Sequence, residues 1–184
     1  MSETPNSPIS TKALGTVLAL FIIALLGGAS ITYYLGAFTT PVIRAATSPE
    51  LHVAYLEHVG PYNEIEPSIE KVAEKLTKAN SKAEIPFALF LDDAGKTPRA
   101  ELRAKAGYII APGAFVPGGL HEETLKPRDV VLATFEGSPV IGSYKSYEAM
   151  KEWATFHGYQ LRLPALEIYH KNGVVEYHLG IAKE

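Results

Sequence analysis

The sequence predicts an α+β protein, a tandem strand–helix–strand–strand duplication preceded by one transmembrane helix. Three observations predict it. The chain of 184 residues carries no charged side chain from Ala13 to Ile43. The remainder slides onto itself with a shift of 78 residues, which brings Val53 onto Val131, Pro61 onto Pro139, Pro86 onto Pro164 and Gly95 onto Gly173. Near the carboxyl end Asn172-Gly173 sits between two strand-like runs, the strongest short-range signal for a hairpin.

Taken in order, residues 1–12 are polar, hold two prolines and read as a short disordered tail. Residues 13–38 are apolar and uncharged, longer than the roughly 20 residues a helix needs to cross a bilayer core. The run ends in Tyr33, Tyr34 and Phe38, where an interfacial aromatic belt is expected. It exceeds the about 7–15 residues of a signal-peptide core and has no well-placed A-x-A site, so a retained single-pass anchor is expected over a cleaved leader. Lys12 and Arg44 flank it with one basic residue each. The positive-inside rule therefore gives no bias for the side on which the soluble part lies. Residues 39–50, with Pro41 and Pro49, read as a linker, and residues 51–184 as one folded domain.

In the first half of that domain His52–Val59 is rich in β-formers and Gly60-Pro61 closes it. Ile65, Ile69, Val72, Ala73 and Leu76 recur at helical spacing. Pro67 is tolerated only in a first turn, which starts the helix near Glu64–Glu66. Ile85–Asp93 and Glu101–Ile110 form the two following strands, and the Gly/Pro-rich Ala111–Leu120 leads to the second half. There Asp129–Glu136 is a strand ended by Gly137-Ser138-Pro139. A helix is expected from Ser146 to His157, with Gly142–Ser146 as its start, Tyr147, Met150, Ala154 and His157 on one face, and Gly158 as its stop.

The final hairpin carries the candidate chemistry. A two-residue type I′ turn at Asn172-Gly173 sets Glu167 opposite His178, Tyr169 opposite Glu176 and Ala165 opposite Gly180, all on one face. Leu166, Ile168, His170, Val175, Tyr177 and Leu179 then form the apolar face expected against the helices. The Glu167 face is either the solvated side of a half-covered sheet or a site. The repeat counterparts of Ala165, Glu167 and Tyr169 are Phe87, Leu89 and Leu91, which leaves Glu167 a lone acid beside apolar residues. Such a place suits an apolar cation or a polarised apolar molecule. Desolvation raises the pKa of Glu167 and a charged His178 lowers it; both directions are open at this point.

Other chemistry is excluded. A net charge of −3 on the chain argues against nucleic-acid binding, which needs a basic surface. The absence of cysteine excludes disulfides, thiolate-ligated metals and thiol catalysis. The six histidines form no H-x-x-x-H or H-E-x-x-H pattern, and no nucleophile elbow, Walker or dinucleotide glycine pattern is present. No metal and no cofactor are expected. Trp153, the only tryptophan, reads as helix–sheet packing or as a groove wall.

The stretch VAYLEHVGPYNEI (Val53–Ile65) resembles the opening of GyrI-like small-molecule-binding domains. These serve as effector-binding domains of AraC- and MerR-type regulators and as stand-alone proteins. PALEIY (Pro164–Tyr169) resembles the family's second-half signature, Glu-x-Tyr, and the duplication resembles its architecture. Membrane-anchored members are similar through VAYLEHVG, ATFEG (Ala133–Gly137) and LEIYH (Leu166–His170). The resemblance implies a groove at the pseudo-two-fold axis, with its central acid at Glu167 and its aromatic lining drawn from Tyr55, Tyr62, Trp153 and Tyr169. His178 and Leu89 complete the expected ligand-binding set. Some members hydrolyse cyclopropanoid compounds with the matching acid. The function expected is thus binding of a small, partly apolar, cationic molecule. The alternatives are hydrolysis of an electrophilic small molecule, with Glu167 as the catalytic residue, and a membrane-tethered adapter for a protein partner. The partners expected are a small-molecule ligand and, through residues 13–38, a membrane.

Overall fold

The computed structural model describes residues 11–183, so most of the tail expected over residues 1–12 lies outside the described residues. Helix α1, Thr11–Tyr34, takes up the uncharged run. Its side chains from Leu14 to Tyr34 are exposed and apolar enough to cross a membrane over 21 residues. At 1.5 Å per residue that is about 32 Å, the thickness of a bilayer core.

The rest is an α+β domain. Among the described residues its eight strands form one antiparallel sheet. The strands are β1 Val42–Ser48, β2 Leu51–Val59, β3 Ile85–Phe90, β4 Arg103–Ile109, β5 His121–Leu125, β6 Arg128–Glu136, β7 Tyr159–Tyr169 and β8 Val174–Lys183. Helix α2, Glu66–Lys78, follows β2, and α3, Pro139–His157, follows β6. The order across the sheet is β1-β6-β8-β7-β3-β4-β2-β5. The two βαββ halves therefore meet at the β7–β3 pair, and the duplication appears as a pseudo-two-fold.

Two strands were hidden from sequence patterning. β1 lies in the proline-flanked stretch read as a linker, and β5 has the polar sequence HEETL. Each edge strand precedes one half and pairs with the other: β1 with β6, and β5 with β2. This exchange ties the halves together. Helix α3 begins at Pro139 rather than Ser146, because a proline is pre-set for the first helical position. It ends as expected at Gly158, which is left-handed and returns its N–H to the last turn.

The hairpin register differs from the expected one by a single residue. The loop is Lys171-Asn172-Gly173, closed by His170 N–H to Val174 O at 2.9 Å and Gly173 N–H to His170 O at 3.1 Å. Only Gly173 has positive φ (80°), whereas a type I′ turn needs both central residues there. This is a type I turn with a glycine bulge, fixed by the Asn172 side chain accepting the Val174 N–H. Glu167 therefore pairs with Tyr177, Ile168 with Glu176 and Leu166 with His178. A slip of one residue exchanges the faces of a strand. Glu167, Tyr169, Tyr177 and Leu179 consequently lie on the helix-covered side, and Leu166, Ile168 and His178 on the opposite one.

Both helices pack on one face. Val72 and Leu76 of α2 bury Ala54 and Ile110, while Met150 of α3 joins Val131, Ala133, Phe135 and Tyr177 in the central core. The opposite face has its own cluster of Val53, Tyr55, Phe87, Leu89, Ile109, Leu166 and Ile168, packed against strand residues and strand ends with no helix residue. Val53 and Phe87 are nonetheless fully buried. The residues packed against that cluster are Leu51, Ile85, Leu91 and Leu125, from strands and strand ends.

Candidate functional site

Between α2 and α3 the helix-covered face opens as a groove of about 1180 Å³. Its floor is Glu167, Tyr169, Ala165, Leu179 and Phe90. Tyr62, Ile65 and Ile69 form the wall beside α2; Val140, Tyr144 and Tyr147 form the wall on α3. The α3 residues recur at helical spacing along one stripe, which the extension of the helix back to Pro139 creates. Tyr62 is held in place on two sides. Its ring packs on Phe90 with centroids 4.5 Å apart, and its hydroxyl accepts the Asp92 N–H at 3.1 Å.

Glu167 is the buried acid of the groove floor. It is only 5% exposed. The Tyr147 hydroxyl donates to its Oε1 and the Tyr169 hydroxyl to its Oε2, both at 2.9 Å. Among the described residues no cationic side chain pairs with it. Burial pushes its pKa up to about 7, and the two phenol hydrogen bonds oppose that shift only in part. The phenols themselves are pushed up, first by burial and then by the neighbouring carboxylate, so they stay neutral donors.

The rim is acidic. Glu66 and Glu70 are exposed on the α2 side, with Asp92 and Asp93 beside them. Arg103 binds Asp92 at 2.7 Å and Lys96 binds Asp93 at 3.1 Å. Arg162 is the basic residue of the lining. A mostly apolar groove with a buried acid and an acidic mouth favours a cation over an anion. Among the described residues no group of His, Asp and Glu side chains is placed to hold a metal ion.

Of the seven residues expected at the site, the fold brings Glu167, Tyr169 and Tyr62 together. The other four are elsewhere. His178 lies on the opposite face, 3.0 Å from Glu176, because the register moved it away from Glu167. Leu89 is on that face too: β3 presents Ala88, not Leu89, to Glu167. The 78-residue shift has the wrong parity here. Gly60 and Gly137, which close corresponding strands with φ of 132° and 141°, are one residue off that shift. Tyr55 belongs to the opposite cluster, stacked on His121 with centroids 5.4 Å apart and with Lys105 over its ring. Trp153 is further along α3, stacked on His157 at 4.1 Å, outside the groove lining. Tyr147 was read as a core position, Tyr144 as part of the helix start and Val140 was not singled out; Pro139 as a helix start was the signal that places all three.

A family model described as GyrI-like small molecule binding domain matches residues 42–179. The chain belongs to the GyrI-like family. The match starts at the first residue of β1, so the edge strand read as a linker is part of the domain. Among solved structures, the EcmrR C-terminal domain has a TM-score of 0.63 at 14% identity, over 78% of this chain and 99% of that one. SAV2435 bound to tetraphenylphosphonium has a TM-score of 0.50 at 10% identity, over 77% and 94%. A hydrolase from Listeria innocua has a TM-score of 0.52 at 12% identity, over 79% and 95%. At these identities the likeness is one of fold. No curated protein sequence matches the chain.

Proposed function

We propose that this GyrI-like domain is tethered to a membrane by α1 and binds a small, partly apolar cation in the groove between α2 and α3, with Glu167 as the counter-charge. The observation that supports this most is the buried Glu167 carboxyl held by two neutral phenols and by no cation. Its hydrogen bonds orient both oxygens yet leave its charge uncompensated. A cation entering the groove supplies what is missing, and the low-dielectric surroundings strengthen the attraction. The apolar walls take up the rest of the ligand, as in most small-molecule sites. The acidic rim steers cations inward and repels nucleic acid.

Tetraphenylphosphonium is a suitable first probe. Calorimetry on the full chain in detergent micelles is expected to show saturable binding that Glu167→Gln weakens on the order of 100-fold, about 2.7 kcal/mol. Equal affinity of both proteins rejects the role given to Glu167.

The pKa near 7 also favours a second reading, hydrolysis. A carboxyl poised at that value is suited to general-base catalysis near neutral pH. Glu167 would take a proton from water as that water's oxygen bonds to a cyclopropane carbon of a ligand held by Tyr147 and Tyr169; the strained C–C bond breaks, its electron pair passes to the ligand's conjugated carbonyl, and that group takes up the proton. Turnover of a cyclopropane-type electrophile that is lost in Glu167→Gln supports it; binding without turnover leaves the domain a receptor.

A further inference from the structure

No free linker separates α1 from the domain. Leu35 O, one residue past α1, accepts the Ser138 N–H at 3.1 Å. Lys145 Nζ donates to Ala37 O at 2.5 Å, Thr39 O at 2.9 Å and Gly36 O at 3.4 Å. One α3 side chain thus satisfies the carbonyls that follow the apolar helix. Gly36 and Gly137 sit back to back. A Cβ at Gly137 would come within 2.9 Å of Gly36 Cα and Leu35 O, and both residues have positive φ. Only glycine fits this contact at both positions.

That contact fixes the height of the groove above a membrane. With Leu14–Tyr34 filling the hydrocarbon core, Leu35–Thr39 lie in the headgroup layer, together with whatever is bonded to them. Ser138 is so bonded, and Pro139, Val140, Ser143 and Tyr144 follow within about 9 Å of helix. These same residues line the α3 wall of the groove. Val140 is 78% and Tyr144 74% exposed, and Phe38 nearby in sequence to the contact is 75% exposed. Large apolar and aromatic side chains exposed beside the end of a span are suited to the interface between lipid and water.

We infer that the α3 wall of the groove rests in the headgroup layer, with Val140 and Tyr144 in the lipid, and that the ligand is an amphipathic cation taken up from the bilayer. The inference rests on the anchor and cation readings above. It adds the source of the ligand and the surface through which it passes.

The chain contains no cysteine, so single introduced thiols label cleanly. Full-length Val140→Cys, Tyr144→Cys, Leu25→Cys and Val59→Cys are each labelled with a fluorophore and reconstituted in phosphatidylcholine vesicles carrying spin-labelled lipids. Val59 ends β2 and is 66% exposed; following the antiparallel pairs across the sheet puts it at the strand ends away from Gly137. Headgroup-level quenchers are expected to quench positions 140 and 144 at least threefold more than position 59, and mid-bilayer quenchers to quench position 25. Quenching at 140 and 144 no greater than at 59 overturns the inference, as does an unquenched position 25.

The source of the ligand is read from rates. At equal aqueous concentration, decyltriphenylphosphonium is expected to associate with the chain in vesicles at least tenfold faster than methyltriphenylphosphonium. Val140→Asp combined with Tyr144→Asp is expected to abolish that advantage. Equal rates for the two probes in the unaltered chain overturn the inference. Absence of binding by either probe in micelles instead overturns the cation reading beneath it.

Discussion

The β7–β8 hairpin holds two glutamates on opposite faces, and they experience opposite electrostatics. Glu167 lies under the helices among phenols, and burial pushes its pKa up to about 7. Glu176, nine residues later on the other face, has His178 Nε2 at 3.0 Å and His170 Nε2 at 3.3 Å. The His178 hydrogen bond, more than the burial that opposes it, holds its carboxyl below the usual range. Both carboxylates accept two side-chain contacts. What separates them is whether the donors can carry charge. Neutral donors orient a carboxylate without compensating it, which is how a groove keeps an acid available for a cationic guest. Imidazole donors, which can carry a positive charge, compensate the acid they contact.

The largest expected effect breaks this contrast at Glu167. Glu167→Leu is expected to abolish tetraphenylphosphonium binding in calorimetry, because both the counter-charge and the oriented oxygens are lost. The same variant leaves the Tyr147 and Tyr169 hydroxyls without their acceptor, at about 1–3 kcal/mol each, which offsets the relief of removing a buried charge, so no gain in melting temperature is expected. Glu176→Leu should leave binding within about twofold of the unaltered chain, on the order of 0.4 kcal/mol.

The two faces should also respond oppositely to pH. The folded pKa of Glu167 lies above its unfolded value, so its contribution to stability is present at low pH and declines as pH rises from about 4.5 through about 7. The decline approaches roughly 3 kcal/mol by pH 8. The proposed cation binding is expected to run the other way, strengthening as pH rises through 7 as Glu167 becomes a carboxylate. The folded pKa of Glu176 is depressed, so its contribution is present above the unfolded value and is lost as pH falls. That residue is partly exposed, and solvent screening keeps the effect under about 1 kcal/mol. Urea titrations from pH 3 to pH 8 on the unaltered chain and on the two Glu→Gln variants separate the contributions. A decline between pH 5 and pH 8 that persists undiminished in Glu167→Gln refutes the assignment.

Smaller effects sharpen the role of the phenols. Tyr147→Phe and Tyr169→Phe each remove one hydrogen bond to the charged form of Glu167, worth about 1.5 kcal/mol. Each is expected to move the pH midpoint of cation binding up by about one unit. A midpoint that stays in place in both variants shows that the phenols shape the groove without tuning its acid. Smallest of all, Lys96→Ala at the rim should slightly strengthen cation binding, since Asp93 loses its exposed partner.

Much of the fold was legible because it rests on local patterns. The βαββ order, the Gly60 and Gly137 strand ends, α2 and the position of the last hairpin all follow from periodicity and turn residues. The edge strands β1 and β5 were not legible, since their partners lie in the opposite half of the chain and neither segment alternates in polarity. Glu167, Tyr169 and Tyr62, named from the sequence, lie together in the groove. Tyr147 was not named for it, because a helix residue looks like core wherever it faces the sheet, whether packed or lining a groove.

The sequence by itself determined the charge-free helix, the duplication, the absence of thiol chemistry and the presence of Glu167 in the final hairpin. It did not determine which way that acid points. A three-residue loop in place of a two-residue one shifts the register by one, and alternation along a strand turns that shift into a change of face. Only the packed structure decided this, because the choice depends on what the whole sheet buries. Burying Leu166 and Ile168 in the cluster on the opposite face, and Tyr177 beneath α3, sends Glu167 into the groove and His178 away from it.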